Sequence, residues 1–263
     1  MKGLRGKRAL VTGASSGIGQ ATAVRLAAEG ARVAVHYNRN RRGAEETLCR
    51  IAELDGPEAV IVQADVSQKP QVDRMFDDVL AALGGLDILI NNAGFQLSGP
   101  SHEISEETFS SVVRTNLFGA FWCAQRAIRQ MLAQGHGGVI INVSSAHEEI
   151  PKPGYAGYSA SKGGLRNLTR TLALEYAAER IRVNSLAPGA TVTPMNSAWT
   201  DDPQKRAVVE SHIPLGRVGT AEEMAAIAAF LCSDEASYIT GQTVFADGGL
   251  TLYADFRTAW ASE

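Results

Sequence analysis

The sequence predicts an α/β fold: a doubly wound parallel sheet of about seven strands with helices on both faces. Three observations lead there. Short apolar runs rich in Val and Ile alternate with helix-length segments almost throughout. The runs are continuous rather than alternating in polarity, which suits strands covered on both faces. A glycine-rich turn joins the first run to the first helical segment. Repeated β-α-β order implies right-handed crossovers, with ligands beyond the carboxyl ends of the strands at the topological switch point.

In chain order, Ala9-Leu10-Val11 is the first strand, and residues 17–29 form the helix that the glycine turn opens. Val33-Ala34-Val35 and Val60-Ile61-Val62 follow as strands, separated by a helix at 41–54. A helix at 70–83 leads to the strand Ile88-Leu89-Ile90. One long helix at 106–132 precedes Val139-Ile140-Ile141, and another at 155–178 precedes Val183-Asn184-Ser185-Leu186. A helix at 221–231 and the strand Thr243-Val244-Phe245 complete the pattern. Residues 188–214 are the least regular, with Pro188, Pro194, Pro203 and Pro214 around a polar stretch, 197–210, of helical character. Such a segment is either a mobile lid over the site, at about 190–214, or an ordinary surface loop. No linker, repeat or low-complexity stretch divides the chain, so residues 1–263 are expected to form one domain.

Composition excludes several classes. The chain is 45% hydrophobic and 20% charged, with a net charge of −3 and a pI near 6.0. There is no basic stripe for nucleic acid and no apolar run of bilayer length. The start is basic and short, without a secretory apolar region and cleavage site, so a cytoplasmic location is expected. Cys49, Cys123 and Cys232 are far apart. An odd, sparse set shows neither a disulfide framework nor metal-ligand spacing, and reads as buried or incidental thiols.

Chemistry is signalled at two places. Residues 12–19 read Thr-Gly-Ala-Ser-Ser-Gly-Ile-Gly, a Gly-x-x-x-Gly-x-Gly relative of the Rossmann dinucleotide fingerprint. Gly13, Gly17 and Gly19 would let the backbone, with Ser15, Ser16 and Ile18, approach a pyrophosphate at the helix N-terminus. The alternative is a glycine turn with no ligand. At the end of the second strand, Val35-His36-Tyr37-Asn38-Arg39 contains no acid. A carboxylate there would bind ribose hydroxyls and repel a 2′-phosphate. Arg39, with Asn38, offers that phosphate a cation instead. NADP is therefore favoured, with NAD also accepted, against the reading of a solvated basic loop.

The second place is Tyr158 and Lys162, one helical turn apart on one face. An ammonium beside a phenol is expected to lower the phenol's pKa and fit it for proton transfer near neutrality. Ser144 and Ser145 lie upstream at the end of a strand, where serines often only cap a turn.

Taken in order, Thr12 to Gly19, Asp65-Val66, Asn91-Asn92-Ala93-Gly94, Asn116, Ser145, Tyr158 with Lys162, Asn184, and Pro188-Gly189 with Thr193 resemble the short-chain dehydrogenase/reductase family over essentially the whole chain. The resemblance implies a proton-handling tetrad of Asn116, Ser145, Tyr158 and Lys162. Tyr158 would exchange the proton, Lys162 would hold a ribose hydroxyl, Ser145 would bind the substrate oxygen, and Asn116 would hold its helix open for a water. It implies that Asp65 and Val66 meet the adenine, and that Asn92, Ala93 and Gly94 shape the cofactor cleft. Pro188, Gly189, Thr191 and Thr193 would flank the nicotinamide.

Within that family, the stretches at 144–151, 172–177, 210–216 and 245–253 are similar to bacterial glucose 1-dehydrogenases. That likeness implies oxidation of a sugar at C1 with either nicotinamide cofactor. Gln96, His147, Glu148 and Asn196 are the candidate sugar contacts, beside Ser145 and Tyr158. Gln96 stands where an acid is common, and Thr191-Val192 replaces an Ile-Asn pair, so another aldose, a polyol or a small carbonyl compound stays open. So do a 3-oxoacyl reductase and a non-catalytic NADP-binding sensor, although a sensor usually lacks the tyrosine or lysine. The family commonly forms homotetramers. The long helices, with Phe118, Phe121, Trp122, Ala124 and Ile128 spread around one of them, and the apolar tail 245–256 are the expected contacts.

Overall fold

The chain, seen in a computed structural model, is described over residues 1–54 and 56–252. The strands are β1 (Arg8–Val11), β2 (Arg32–Tyr37), β3 (Val60–Gln63), β4 (Ile88–Asn91), β5 (Gly138–Val143), β6 (Ile181–Pro188) and β7 (Thr243–Ala246). The helices are α1 (Gly17–Ala28), α2 (Arg41–Ala52), α3 (Lys69–Leu83), α4 (Glu106–Val113), α5 (Ala120–Gln134), α6 (Ala156–Tyr176), α7 (Ser197–Thr200), α8 (Pro203–Ser211) and α9 (Ala221–Cys232). The sheet order is β3-β2-β1-β4-β5-β6-β7, and every neighbouring pair is parallel. Strand order therefore reverses between β1 and β4, which opens a crevice at their carboxyl ends.

The pleat divides the core in two. Ala9, Val11, Val33, Val35, Ile88 and Ile90 face one layer, which α1 and α9 cover. Leu10, Ala34, Leu89 and Ile140 face the other, against α3, α5 and α6. Residues that alternate along one strand thus feed both layers, and this is why the runs are apolar throughout.

Four expectations need correction. The long helix at 106–132 is interrupted: Arg114–Gly119 forms a π-helical turn between α4 and α5. A Cβ on Gly119 would lie 2.9 Å from the Val66 carbonyl oxygen, so the chain is pressed against a neighbour that apolar spacing does not reveal. β7 is only half-buried, because as an edge strand it has a partner on one side alone. The stretch 197–210 resolves into the short α7 and α8 rather than one helix, broken at Asp202-Pro203, where Asp202 caps α8. Of the expected contact helix, Phe118 and Phe121 are exposed, whereas Ala124 and Ile128 serve the internal core. Residues 253–256 of the expected apolar tail lie outside the described residues.

Cys123 and Cys232 are buried and Cys49 exposed. Burial pushes the Cys123 and Cys232 thiols up to about 12, so both are inert at neutral pH. No helix among the described residues is long and apolar enough to cross a membrane.

Candidate active site

A cleft of about 1480 Å³ opens over the carboxyl ends of the strands. It gathers nearly every residue singled out in the sequence: Gly13, Ser15, Ser16, Gly17, Ile18, Asn38, Arg39, Asp65, Val66, Asn92, Ala93, Gly94, Gln96, Ser145, His147, Tyr158, Lys162, Pro188, Gly189, Thr191, Thr193 and Asn196. Gly19, Asn116 and Glu148 do not line it. They lie buried behind its wall, for reasons given below.

At one end is the glycine turn. Gly13 and Gly17 have φ of +64° and +53°, conformations that favour glycine. Ser16 precedes α1 in an extended conformation and makes no side-chain cap bond, so the positive end of α1 faces the cleft uncapped. A Cβ on Gly17 would sit 3.3 Å from Thr193, which places the turn against the segment after β6. Not all amides of the turn are available to a ligand. The Gly13 amide donates to His36 Nδ1 at 2.9 Å, and the Ala14 amide to the His36 carbonyl at 2.8 Å. Asn92 fixes the turn from β4, its amide donating to the Thr12 and Gly13 carbonyls at 2.9 and 3.1 Å. The Thr12 hydroxyl accepts from the Asn92 and Ala93 amides at 2.9 and 3.0 Å. An uncapped helix end, a glycine cradle and the cation Arg39 at the rim fit a dinucleotide diphosphate. Arg41, next along, is committed to Glu45 at 2.8 Å. Asp65, which also lines the cleft, accepts from the Ser67 amide at 2.9 Å.

At the other end, Ser145 acts on the Tyr158 phenol, and its Oγ accepts from the His147 amide at 3.1 Å. Ser144 Oγ is buried with no hydrogen-bond partner among the described residues, so of the two serines only Ser145 meets the phenol. Lys162 is buried, and its Nζ lies 5.5 Å from the Tyr158 ring centre. The expected acidification of the phenol does not hold in this arrangement. Burial holds the Tyr158 pKa above its ordinary value, and Ser145 only partly offsets that. The Lys162 ammonium donates to the Val143 carbonyl at 2.7 Å rather than to the phenol. Burial also pulls Lys162 itself down to about 8, against the opposing charge of Glu148.

Glu148 is displaced from its expected role as a sugar contact. Its side chain is fully buried, 3.8 Å from Arg166 Nε, and its charge acts on Lys162 from behind the cleft. Asn116 is likewise indirect. It sits in the π-helical turn, accepts from the Phe95 amide at 3.0 Å, and donates to the Phe95 carbonyl at 2.9 Å and to Ser161 at 3.2 Å. The side chain thereby anchors the loop after β4 to the widened turn. His147 Nδ1 faces the Ile150 carbonyl at 2.9 Å and must donate to it, which leaves Nε2 as an acceptor. Its ring stands edge-on to Tyr158 at 6.2 Å, and burial keeps it neutral by lowering its pKa. Gln96 reaches Asn196 at 3.5 Å, and Asn196 donates to the Thr191 carbonyl at 2.8 Å, which ties the segment after β6 to the loop after β4.

Sequence reasoning missed His36 and the apolar residues Phe95, Met195, Trp199 and Val209, which also line the cleft. His36 looked like one more residue of a buried strand. Met195, Trp199 and Val209 belong to the irregular segment and Phe95 to the loop after β4, where no periodicity marks an inward face.

Known proteins resemble this chain in sequence and fold. The family described as Enoyl-(Acyl carrier protein) reductase matches residues 13–251. The chain is 48% identical to a glucose 1-dehydrogenase of Gluconobacter oxydans over 98% of its length and 96% of that protein's. It is 50% identical to 3beta-hydroxysteroid dehydrogenase 1 of Eggerthella lenta over 97% of each. A crystal structure of a gluconate 5-dehydrogenase from Burkholderia cenocepacia, in complex with NADP and tartrate, superposes with a TM-score of 0.88 at 38% identity, covering 94% of this chain and 96% of that one.

Proposed function

Because the chain belongs to the short-chain dehydrogenase/reductase family of NAD(P)-dependent oxidoreductases, we propose that it oxidises a sugar hydroxyl, glucose at C1 first among candidates. One observation carries the reading: Ser145, Tyr158 and Lys162 share a cleft with the uncapped N-terminus of α1. The bound dinucleotide supplies hydride exchange at carbon, and the chain handles the proton and the oxygen. Ser145 donates to the substrate oxygen and steadies charge developing there. Tyr158 exchanges the hydroxyl proton. Lys162 holds a cofactor ribose hydroxyl, and Asn116 keeps the π-helical turn open behind it. Neutral His147 and Gln96 offer an acceptor and a donor to a sugar ring, as the polar part of the pocket requires.

A second reading has its own support. Met195, Trp199 and Val209 give the cleft an apolar wall, suited to a hydroxyl on an apolar ring system, as the hydroxysteroid relative's name suggests. A panel of aldoses, aldonates, hydroxysteroids and 3-oxoacyl thioesters, each with NAD(H) and NADP(H), decides between them. Turnover confined to aldoses or aldonates supports the sugar reading; turnover confined to hydroxysteroids or thioesters overturns it.

Arg39 is exposed at the rim beside Asn38, where it would meet a 2′-phosphate. A charge-assisted contact of this kind contributes about 1.5–3 kcal/mol, so Arg39→Ala is expected to raise KM for NADP by about 10-fold or more and to leave KM for NAD unchanged. Equal effects on both cofactors would remove the assignment. The proposed setting is a cytoplasmic homotetramer. The exposure of Phe118, Phe121 and Leu174, at 46%, 39% and 84%, supports helix-mediated contact between copies.

A further inference from the structure

We propose that His36 is a positioning residue for the cofactor, a neutral brace that locks together the three strand ends holding the pyrophosphate, the adenosine ribose and the adenine. The inference rests on the dinucleotide occupying the cleft as described above. His36 lies in β2, two residues before Asn38, and only 1% of it is exposed. Its Nδ1 accepts from the Gly13 amide at 2.9 Å, in the turn after β1. Its Nε2 faces the Ala64 carbonyl at 3.0 Å, just after β3 and one residue before Asp65. Its own carbonyl accepts from the Ala14 amide at 2.8 Å.

These contacts demand one protonation state. An amide can only donate, so Nδ1 must carry a lone pair; a carbonyl can only accept, so Nε2 must carry the hydrogen. A protonated ring would have no acceptor for Gly13. Burial opposes protonation and pulls the pKa down to about 4, despite the nearby charge of Asp65. The consequence is geometric. The Gly13 amide is committed to the imidazole, so the anion is left to the amides at the start of α1. Meanwhile Ala64 is held where Asp65 and Val66 meet the base. No other side-chain type spans both contacts: Asn can imitate Nδ1 and Gln can imitate Nε2, each giving up the other bond.

That difference makes the test. NADPH dissociation constants are measured by fluorescence titration for the wild type, His36→Asn, His36→Gln and His36→Leu, with melting temperatures and with kcat at saturating cofactor. His36→Asn keeps the acceptor for Gly13 and is expected to bind NADPH within about 3-fold of the wild type. His36→Gln frees the turn and is expected to bind about 10-fold or more weakly, with kcat retained once cofactor saturates. Each loses one buried hydrogen bond, so their melting temperatures should fall alike. His36→Leu should bind as weakly as His36→Gln. Equal affinities for the Asn and Gln variants overturn the brace. A wild type that binds neither NADPH nor NADH would overturn the dinucleotide reading itself.

Discussion

Tyr158→Phe is expected to lower turnover by about 10³-fold, within the range that general acid–base groups contribute, while NADPH affinity stays at the wild-type value. The ring that remains keeps its place. It packs edge-on to His147 at 6.2 Å and lies 5.5 Å from the Lys162 ammonium, and neither contact uses the hydroxyl. What disappears is the phenol proton. Because burial holds that proton on the phenol, reduction should proceed at an even rate through neutral pH. Oxidation needs the proton gone and should climb as pH rises. Steady-state turnover in both directions, with a parallel fluorescence titration, checks this. A Phe variant with wild-type turnover would leave the tetrad without its acid and base.

This site shows how far the sequence can be read. Spacing alone put Tyr158 and Lys162 on one face of α6, and strand–turn–helix order put the glycines at the crevice. Both readings depend on neighbours a few residues apart, where helix geometry is fixed. What the Lys162 ammonium would reach was another matter. Its acceptor is the Val143 carbonyl on β5, chosen by tertiary packing that no i, i+4 rule contains. Glu148 failed as a sugar contact for the same reason. Polar residues next to a catalytic strand seem bound for the cleft in sequence, yet this carboxylate turns back toward Arg166 and acts on Lys162 from behind. The π-helical turn at Arg114–Gly119 was hidden too, because one inserted residue barely disturbs an apolar stripe. The parallel sheet was the most legible part. Its inner strands β1, β2 and β4 are buried on both faces, and continuous apolar runs suit that condition.

Gly19→Ala is the second substitution with a large expected effect, and its direction follows from two opposing quantities. In an open helix, replacing Gly by Ala stabilises by about 1 kcal/mol. Here the added Cβ would lie 2.3 Å from the Gly13 carbonyl oxygen and 2.4 Å from Asn92 Nδ2. Neither neighbour can retreat freely. The Gly13 amide is bonded to His36, and the Asn92 amide is bonded to the Thr12 and Gly13 carbonyls. Overpacking costs about 1–3 kcal/mol, and displacing Asn92 forfeits hydrogen bonds of about 0.5–1.5 kcal/mol each. The clash therefore outweighs the helix gain. The melting temperature should drop by a few degrees, and NADPH affinity should fall by about 10-fold or more, because the displaced atoms are those that set the turn. Calorimetry and fluorescence titration measure the two effects separately. A variant as stable as the wild type, with undiminished affinity, would mean that the turn has slack which its hydrogen bonds do not show.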